Sequence, residues 1–446
     1  MRPSPYTVHL MGAAVAQAAR PTQHFIRPQL LRAAIASSLG TTLVWYDVFL
    51  YGISASLVLG DRFFPSASPF VSTVTALATY LVGFAARPLG AVLFGHLGDR
   101  IGRRATLIAT LWLMGLATVL VGLVPTYAQI GIAGGILLTA LRILQGMAAG
   151  GQWAGSVLLS VEWADRRWRG LAGSLTQLGM PAGLLLALGA VQLSPHLVSA
   201  SSYWGWRVPF LIGGVLLAAG LYVRIGTSET PVFTKMHDEA RIERAPVSQT
   251  IAKQWSEVIL CALARTGQEA PFYLFTVFVV TYATSQLKFQ QADVLRFVMI
   301  AAAVSVLTTL FWGFQSDRVG RRRLYMVGAA AMVAWSFAYW ALLDQRVPLL
   351  VFGAIVVALP IHDIQHGPQA AMIAENFTAR LRYSGASLGY HLTALIAGGP
   401  ALVVPMALLN AFHRSLPIAI YSAGCALISL GAAALLRDRS ARDLSV

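Results

Sequence analysis

Charged side chains are scarce in this chain. Asp, Glu, Lys and Arg make up 11% of it, against roughly 25% in a soluble domain. So little charge cannot cover a water-exposed surface, which excludes a soluble globular protein. Acids are scarcest, 18 against 33 Lys and Arg, leaving a net charge of +15. The basic residues fall in short loops between apolar runs. Membrane topology and anionic headgroups account for them there, and nucleic acid is not an expected partner. There are only two cysteines, Cys261 and Cys425, both inside apolar runs, so no disulfide framework is implied. His362 and His366 are four residues apart but lack carboxylate ligands at suitable spacing, so no metal and no other cofactor is expected. The Gly-rich stretches lie within apolar runs and follow no strand, which excludes a phosphate cradle. No nucleophile–base pair is evident, so the chain does not read as an enzyme.

What is abundant is apolar sequence, 57% of residues. Runs of about 20 residues follow one another, each long enough to cross a hydrocarbon layer roughly 30 Å thick. Twelve helical spans are predicted: 33–58, 70–94, 105–124, 130–157, 168–193, 206–226, 255–285, 292–314, 323–342, 348–372, 384–408 and 415–436. The most hydrophilic connection, 227–254, divides them six and six, into bundles at 31–226 and 255–436. Tails at 1–30 and 437–446 complete the chain. Most Lys and Arg sit in alternate loops, which by the positive-inside rule puts both termini and the central loop in the cytoplasm. Most of the remaining tryptophans, among them Trp112, Trp168, Trp204, Trp255 and Trp340, fall near span ends and read as an aromatic belt.

One string occurs twice, roughly half the chain apart. Gly95-His96-Leu97-Gly98-Asp99-Arg100-Ile101-Gly102-Arg103-Arg104 returns as Gly313-Phe314-Gln315-Ser316-Asp317-Arg318-Val319-Gly320-Arg321-Arg322. Each copy follows an apolar run, as in a duplicated membrane protein whose halves meet at a central pathway. Small residues (Gly95, Gly98, Gly313) permit close helix approach. Asp99 and Asp317 can accept hydrogen bonds at a helix N-terminus and pair with Arg100, Arg103, Arg318 or Arg321. With Gly102 and Gly320 these residues form a candidate cytoplasmic gate. The first copy is expected to be the stronger clasp.

The repeated string resembles the cytoplasmic loop signature of the major facilitator superfamily. Further stretches resemble its metabolite:proton symporter branch: Val44-Trp45-Tyr46-Asp47, Ala86-Arg87-Pro88-Leu89-Gly90, Arg142-Ile143-Leu144-Gln145-Gly146, Gly150-Gly151-Gln152-Trp153 and Glu375-Asn376-Phe377-Thr378. The resemblance implies an all-α membrane fold of twelve transmembrane helices in two pseudo-symmetric six-helix bundles. It also implies transport of organic acids, betaines and related solutes with protons. Two positions depart from the pattern. The branch usually has Glu where this chain has Val44 and Gln152, and neither of these can carry a proton.

Ionisable groups inside spans are costly and tend to face a cavity or a partner. Asp47, flanked by Tyr46 and close to Tyr51, is a candidate proton site or the structural partner of Arg142. Arg142 could bind a carboxylate bidentately or simply pair. Arg265, Glu269 and Tyr273, four apart on one helical face with Gln268 beside them, read as cavity lining. Arg265 and Glu269 either pair with each other or divide solute and proton between them. Asp363 is a third proton candidate. Arg87, Gln145, Gln152, Trp153, His362, Gln365, His366 and Tyr390 complete the substrate-binding candidates, while His391 stays ambiguous. Glu162 reads as interfacial. The expected function is proton-coupled symport of a small polar metabolite, a carboxylate-bearing organic acid, by a monomer in a bacterial inner membrane. A proton-independent uniporter or exchanger, or a non-transporting sensor on the same scaffold, are the alternatives.

Overall fold

A computed structural model describes residues 23–446 except 67–68, 199–203, 240–241, 441–443 and 445–446. Most of the predicted N-terminal tail therefore lies outside the described residues. Among the described residues there is no strand. The spans are α1 (Gln23–Ser54), α2 (Pro69–Arg100), α3 (Arg103–Leu123), α4 (Ile132–Val161), α5 (Arg169–Gln177 and Gly179–Leu197) and α6 (Val208–Ile225). The second half follows as α7 (Pro246–Tyr273, Leu274–Phe278 and Val279–Ser285), α8 (Gln291–Val319), α9 (Arg321–Asp344), α10 (Pro348–Asn376), α11 (Arg382–Thr393, Ala394–Gly398 and Pro400–Phe412) and α12 (Leu416–Leu435). Among the described residues eleven helices are long and apolar enough to cross a membrane. The twelfth span, α7, is set apart by polar residues such as Glu257, Arg265, Gln268 and Glu269.

Local sequence explains the boundaries and bends. Gly102 and Gly320 sit at φ 107° and 99°, left-handed values that a side chain would strain. They allow the tight reversals from α2 to α3 and from α8 to α9. Pro271 within α7 and Pro400 within α11 each withhold a backbone N–H. Each lies beside a single wider π turn, Leu274–Phe278 and Ala394–Gly398 respectively, the kind of local widening that marks functional helices. Gln254 leaves helical geometry at φ −133°, so a short entry segment precedes the span proper.

Within the first half the glycines form a packing seam. A Cβ on Gly146 would fall 2.1 Å from the Gly83 carbonyl oxygen, and one on Gly150 2.1 Å from that of Arg87. Bare backbone lets α2 and α4 touch, and dispersion replaces the hydrophobic drive that lipid cannot supply. The halves meet through α2 with α7 and α11, and through α5 with α8 and α10. Val215, Tyr222, Leu307 and Leu349 point outward, as a lipid-facing surface requires. Trp112, Trp168, Trp204 and Trp255 are exposed, but Trp340 is only 1% exposed. It packs on Phe278 and Tyr282, so it belongs to the core and not to a belt.

Gly150→Ala should force α2 from α4 and cost about 1–3 kcal/mol, read as a lowered melting temperature of the purified protein. Gly189, whose added Cβ would meet nothing within 4 Å, should accept Ala without change. Equal melting of the two variants would remove the seam from the account of stability.

Candidate functional site: a clasped end and a charged midplane

At the end of the bundle that carries the repeated strings, each aspartate caps a helix of the opposite half. Asp99, at the end of α2, accepts from the backbone N–H of Tyr383 at 3.2 Å and Ser384 at 2.9 Å, in the first turn of α11. Asp317, at the end of α8, accepts from Gly170 at 2.8 Å and Leu171 at 2.9 Å, in the first turn of α5. Those turns expose unpaired N–H groups and the positive end of the helix dipole, so a carboxylate is strongly held. Close approach needs small residues. A Cβ on Gly98 would lie 2.2 Å from the Tyr383 ring, and one on Gly313 2.2 Å from Ser174 Oγ.

Arginines and a second pair of acids brace each cap. Arg103 reaches Asp99 and Glu162, both at 3.6 Å, and donates to the Ala379 carbonyl at 3.3 Å. Arg382 reaches Glu162 at 3.3 Å. In the other copy Arg321 reaches Asp317 at 2.8 Å and Glu375 at 3.4 Å, and Arg169 reaches Glu375 at 3.9 Å. Glu162, read as interfacial, is instead buried at 7% exposure, because two arginines and the Thr230 hydroxyl enclose it. Arg100 and Arg318 are exposed. They meet His96 and the Phe314 ring and lie outside the clasp. The two caps have comparable hydrogen bonds, so no inequality between the copies is visible in their lengths.

Midway along the bundle each half buries its own charges. In the first half Arg142 donates to Asp47 at 2.7 Å, Thr118 donates to Asp47 at 2.9 Å, and Gln145 donates to the same carboxylate. Tyr51 lies beneath the Arg142 guanidinium at 4.0 Å. In the second half Arg265 pairs with Glu269 and lies 3.4 Å over the Tyr390 ring. The Glu269 Oε1 atom and the Tyr273 hydroxyl have no hydrogen-bond partner. The halves join through Trp153, which stacks on Tyr390 at 3.6 Å and donates to Gln177 at 2.8 Å. Gln177 in turn meets His366 at 3.1 Å and Gln369 at 3.2 Å.

A small cavity of about 20 Å³ lies at this junction, lined by Trp45, Arg87, Gln152, Trp153, Tyr390 and His391 together with Thr41, Val44 and Ala149. A second, of about 180 Å³, opens toward the end away from the clasp, between Tyr80, Gln192, Thr276 and Gln291. Phe272 packs on Trp45 and Phe49 and separates the two.

The other predicted residues are dispersed. Tyr46 donates to the Pro209 carbonyl inside the first half. Gln268 meets His362 at 2.5 Å, and Gln365 reaches Ser429 at 3.1 Å. Asp363 is turned toward α8, where Thr308 donates to it at 2.5 Å, and His362 braces it at 2.9 Å. Sequence reading missed Thr118, Gln177, Thr308, Gln369 and the bracing set Glu162, Arg169, Glu375 and Arg382. The last four carried a readable signal. Glu and Arg stand seven residues apart at 162/169 and again at 375/382, a second internal repeat.

Two helical bundles, clasped at one end and each burying charges of its own midway along, are the architecture of a membrane transporter. The sequence pattern of the Major Facilitator Superfamily matches residues 37–402, and the chain belongs to that family. It is 37% identical to the shikimate transporter of Escherichia coli (strain K12), covering 91% of this chain and 94% of that one. Identity to the inner membrane metabolite transport protein YhjE of the same organism is 35%, over 83% and 86%. Against its proline/betaine transporter the figure is 32%, over 83% and 76%. The solved structure of the proton:xylose symporter XylE superposes with a TM-score of 0.75 at 16% identity, covering 94% and 98%, which shows the shared fold.

Asp99→Asn removes the charge of the carboxylate that caps α11 and should shift the population toward opening at the clasped end. Alkylation of a cysteine introduced at Thr41 should then quicken from that side, while the ranking of solutes stays the same. An altered solute ranking, or unchanged alkylation, would refute the clasp.

Proposed function

We propose that this protein carries out proton-coupled symport of a small carboxylate-bearing metabolite by alternating access. The clasped end would face the cytoplasm of a bacterial inner membrane, consistent with the basic loops at that end. The observation that carries the reading is Arg87. Its guanidinium lines the junction cavity, rests 4.0 Å over Phe84 and makes no ion pair with any described residue. The two other midplane arginines, Arg142 and Arg265, are neutralised by Asp47 and Glu269. An unneutralised buried cation calls for an anionic partner, and a carboxylate matches the guanidinium fork. The relative named for shikimate agrees with that class.

Glu269 is the favoured proton carrier. Asp47 is saturated by Arg142, Gln145 and Thr118, and Asp363 by Thr308 and His362. Glu269 keeps one oxygen free, where a proton can be taken up. Protonation would weaken its hold on Arg265 and, through the Tyr390–Trp153 stack, loosen the contact between halves. The exchanger reading draws support from Val44 and Gln152, which line the cavity and cannot titrate.

In vesicles with an imposed pH gradient, Glu269→Gln should reduce shikimate accumulation to equilibration while counterflow persists. Unchanged accumulation removes Glu269 from the coupling. Transport indifferent to collapse of the gradient establishes the exchanger instead. Arg87→Ala should weaken shikimate binding by about 10–100-fold, the worth of a charged hydrogen bond, with Arg87→Lys in between. An unaltered affinity would sink the carboxylate assignment.

A further inference from the structure

The junction cavity holds a second unpaired group besides Arg87. His391 is 3% exposed, and neither ring nitrogen has a hydrogen-bond partner. The ring meets Tyr390 edge-on at 4.9 Å, a contact that uses none of its polar atoms. Other midplane histidines differ. His362 is held by Asp363 and Gln268, and His366 by Gln177. His391 is therefore the histidine in this region whose hydrogen bonds remain to be made, and it lines the cavity that Arg87 enters.

The chemistry of the ring defines what would satisfy it. A neutral imidazole offers one N–H and one lone pair, whichever tautomer it adopts. A ligand that completes both must present an acceptor and a donor. Arg87 asks for an anionic acceptor in the same space, which at about 20 Å³ admits little more than a water until the halves part. A carboxylate that also bears a hydroxyl meets all three demands. A betaine meets fewer, because its quaternary ammonium has no hydrogen to donate. Nor is an aromatic box open to such a cation. One face of Tyr390 is taken by Trp153 and the other by the Arg265 guanidinium, which also repels positive charge.

We propose that His391 and Arg87 together form a hydroxy-acid subsite, Arg87 taking the carboxylate and His391 accepting a hydrogen bond from a hydroxyl of the solute. His391 thereby sets the preference for hydroxylated carboxylates over bare carboxylates and betaines. Their roles separate by chemistry. The inference rests on the carboxylate reading above and adds a residue and a solute class to it.

Equilibrium binding to the purified protein tests it with three probes: shikimate, cyclohexenecarboxylate (the same type of ring acid without hydroxyls) and glycine betaine. The wild-type protein should bind shikimate at least about tenfold more tightly than either of the others, the scale of one buried hydrogen bond left unmade. His391→Leu should erase the difference between the two ring acids. His391→Gln, which keeps a donor and an acceptor, should retain part of it. Arg87→Ala should weaken both acids together. A wild-type ratio near one overturns the proposal without any variant, so the test stands even where His391→Leu does not fold. A preference that survives in His391→Leu overturns it as well, and leaves the carboxylate reading intact if Arg87→Ala still weakens both acids. If the wild-type protein binds neither acid, the carboxylate reading fails and this inference falls with it.

Discussion

A carboxylate set on the exposed N-terminus of a helix in the other half is the interaction on which this architecture turns. Lipid offers the two bundles no hydrophobic drive to associate. Something polar must join them. Asp99 on α11 and Asp317 on α5 do this symmetrically. Each bond pairs a full charge with a dipole and two N–H donors, so it is strong while made. It depends on a distance of about 3 Å, so a small rigid-body tilt breaks it whole. The bracing pairs Arg103–Glu162 and Arg321–Glu375 keep the acids buried without leaving charge unpaired, since removing one partner of such a pair costs about 3–5 kcal/mol.

The midplane obeys the same electrostatic rule differently. Asp47 with Arg142, and Glu269 with Arg265, lie each within one half. Neither pair bridges the two halves. The contacts that do cross between halves at this level are neutral: the Trp153–Tyr390 stack and the Gln177–His366–Gln369 group. Neutral contacts cost less to break than ion pairs in low dielectric. At this level charge is thus kept within each half, and the interface between them is left to aromatic and amide groups. Arg87 and His391 are exceptions at that interface: Arg87 makes no ion pair with a described residue, and the His391 ring nitrogens have no hydrogen-bond partner.

Much of the fold was legible because a bilayer imposes few solutions. Long apolar runs must be helices, and the duplicated string marked the two halves. Trp340 and Glu162 were misread for a shared reason. Both lie near the end of an apolar run, and position along a helix does not say which face turns inward. Part of the site was legible too. The four-residue spacing of Arg265 and Glu269 allowed the pair that forms, and Asp47 with Arg142 was one of two readings kept open.

The sequence by itself determined the membrane class, the two-fold repeat, the two aspartates at its centre and the inventory of buried charge. These follow from composition and spacing, which are properties of a linear chain. Tertiary structure alone decided which charges are neutralised and which remain available. Arg87, Arg142 and Arg265 look alike in sequence, each an arginine within an apolar run. Only the packing of α1 on α4 supplies Arg142 with Asp47, while Arg265 finds Glu269 one turn along α7 and Arg87 is left, with His391, facing the cavity. The reason is geometric: a salt bridge forms over about 3 Å, and residues 95 positions apart, such as Asp47 and Arg142, reach that distance only in the folded bundle.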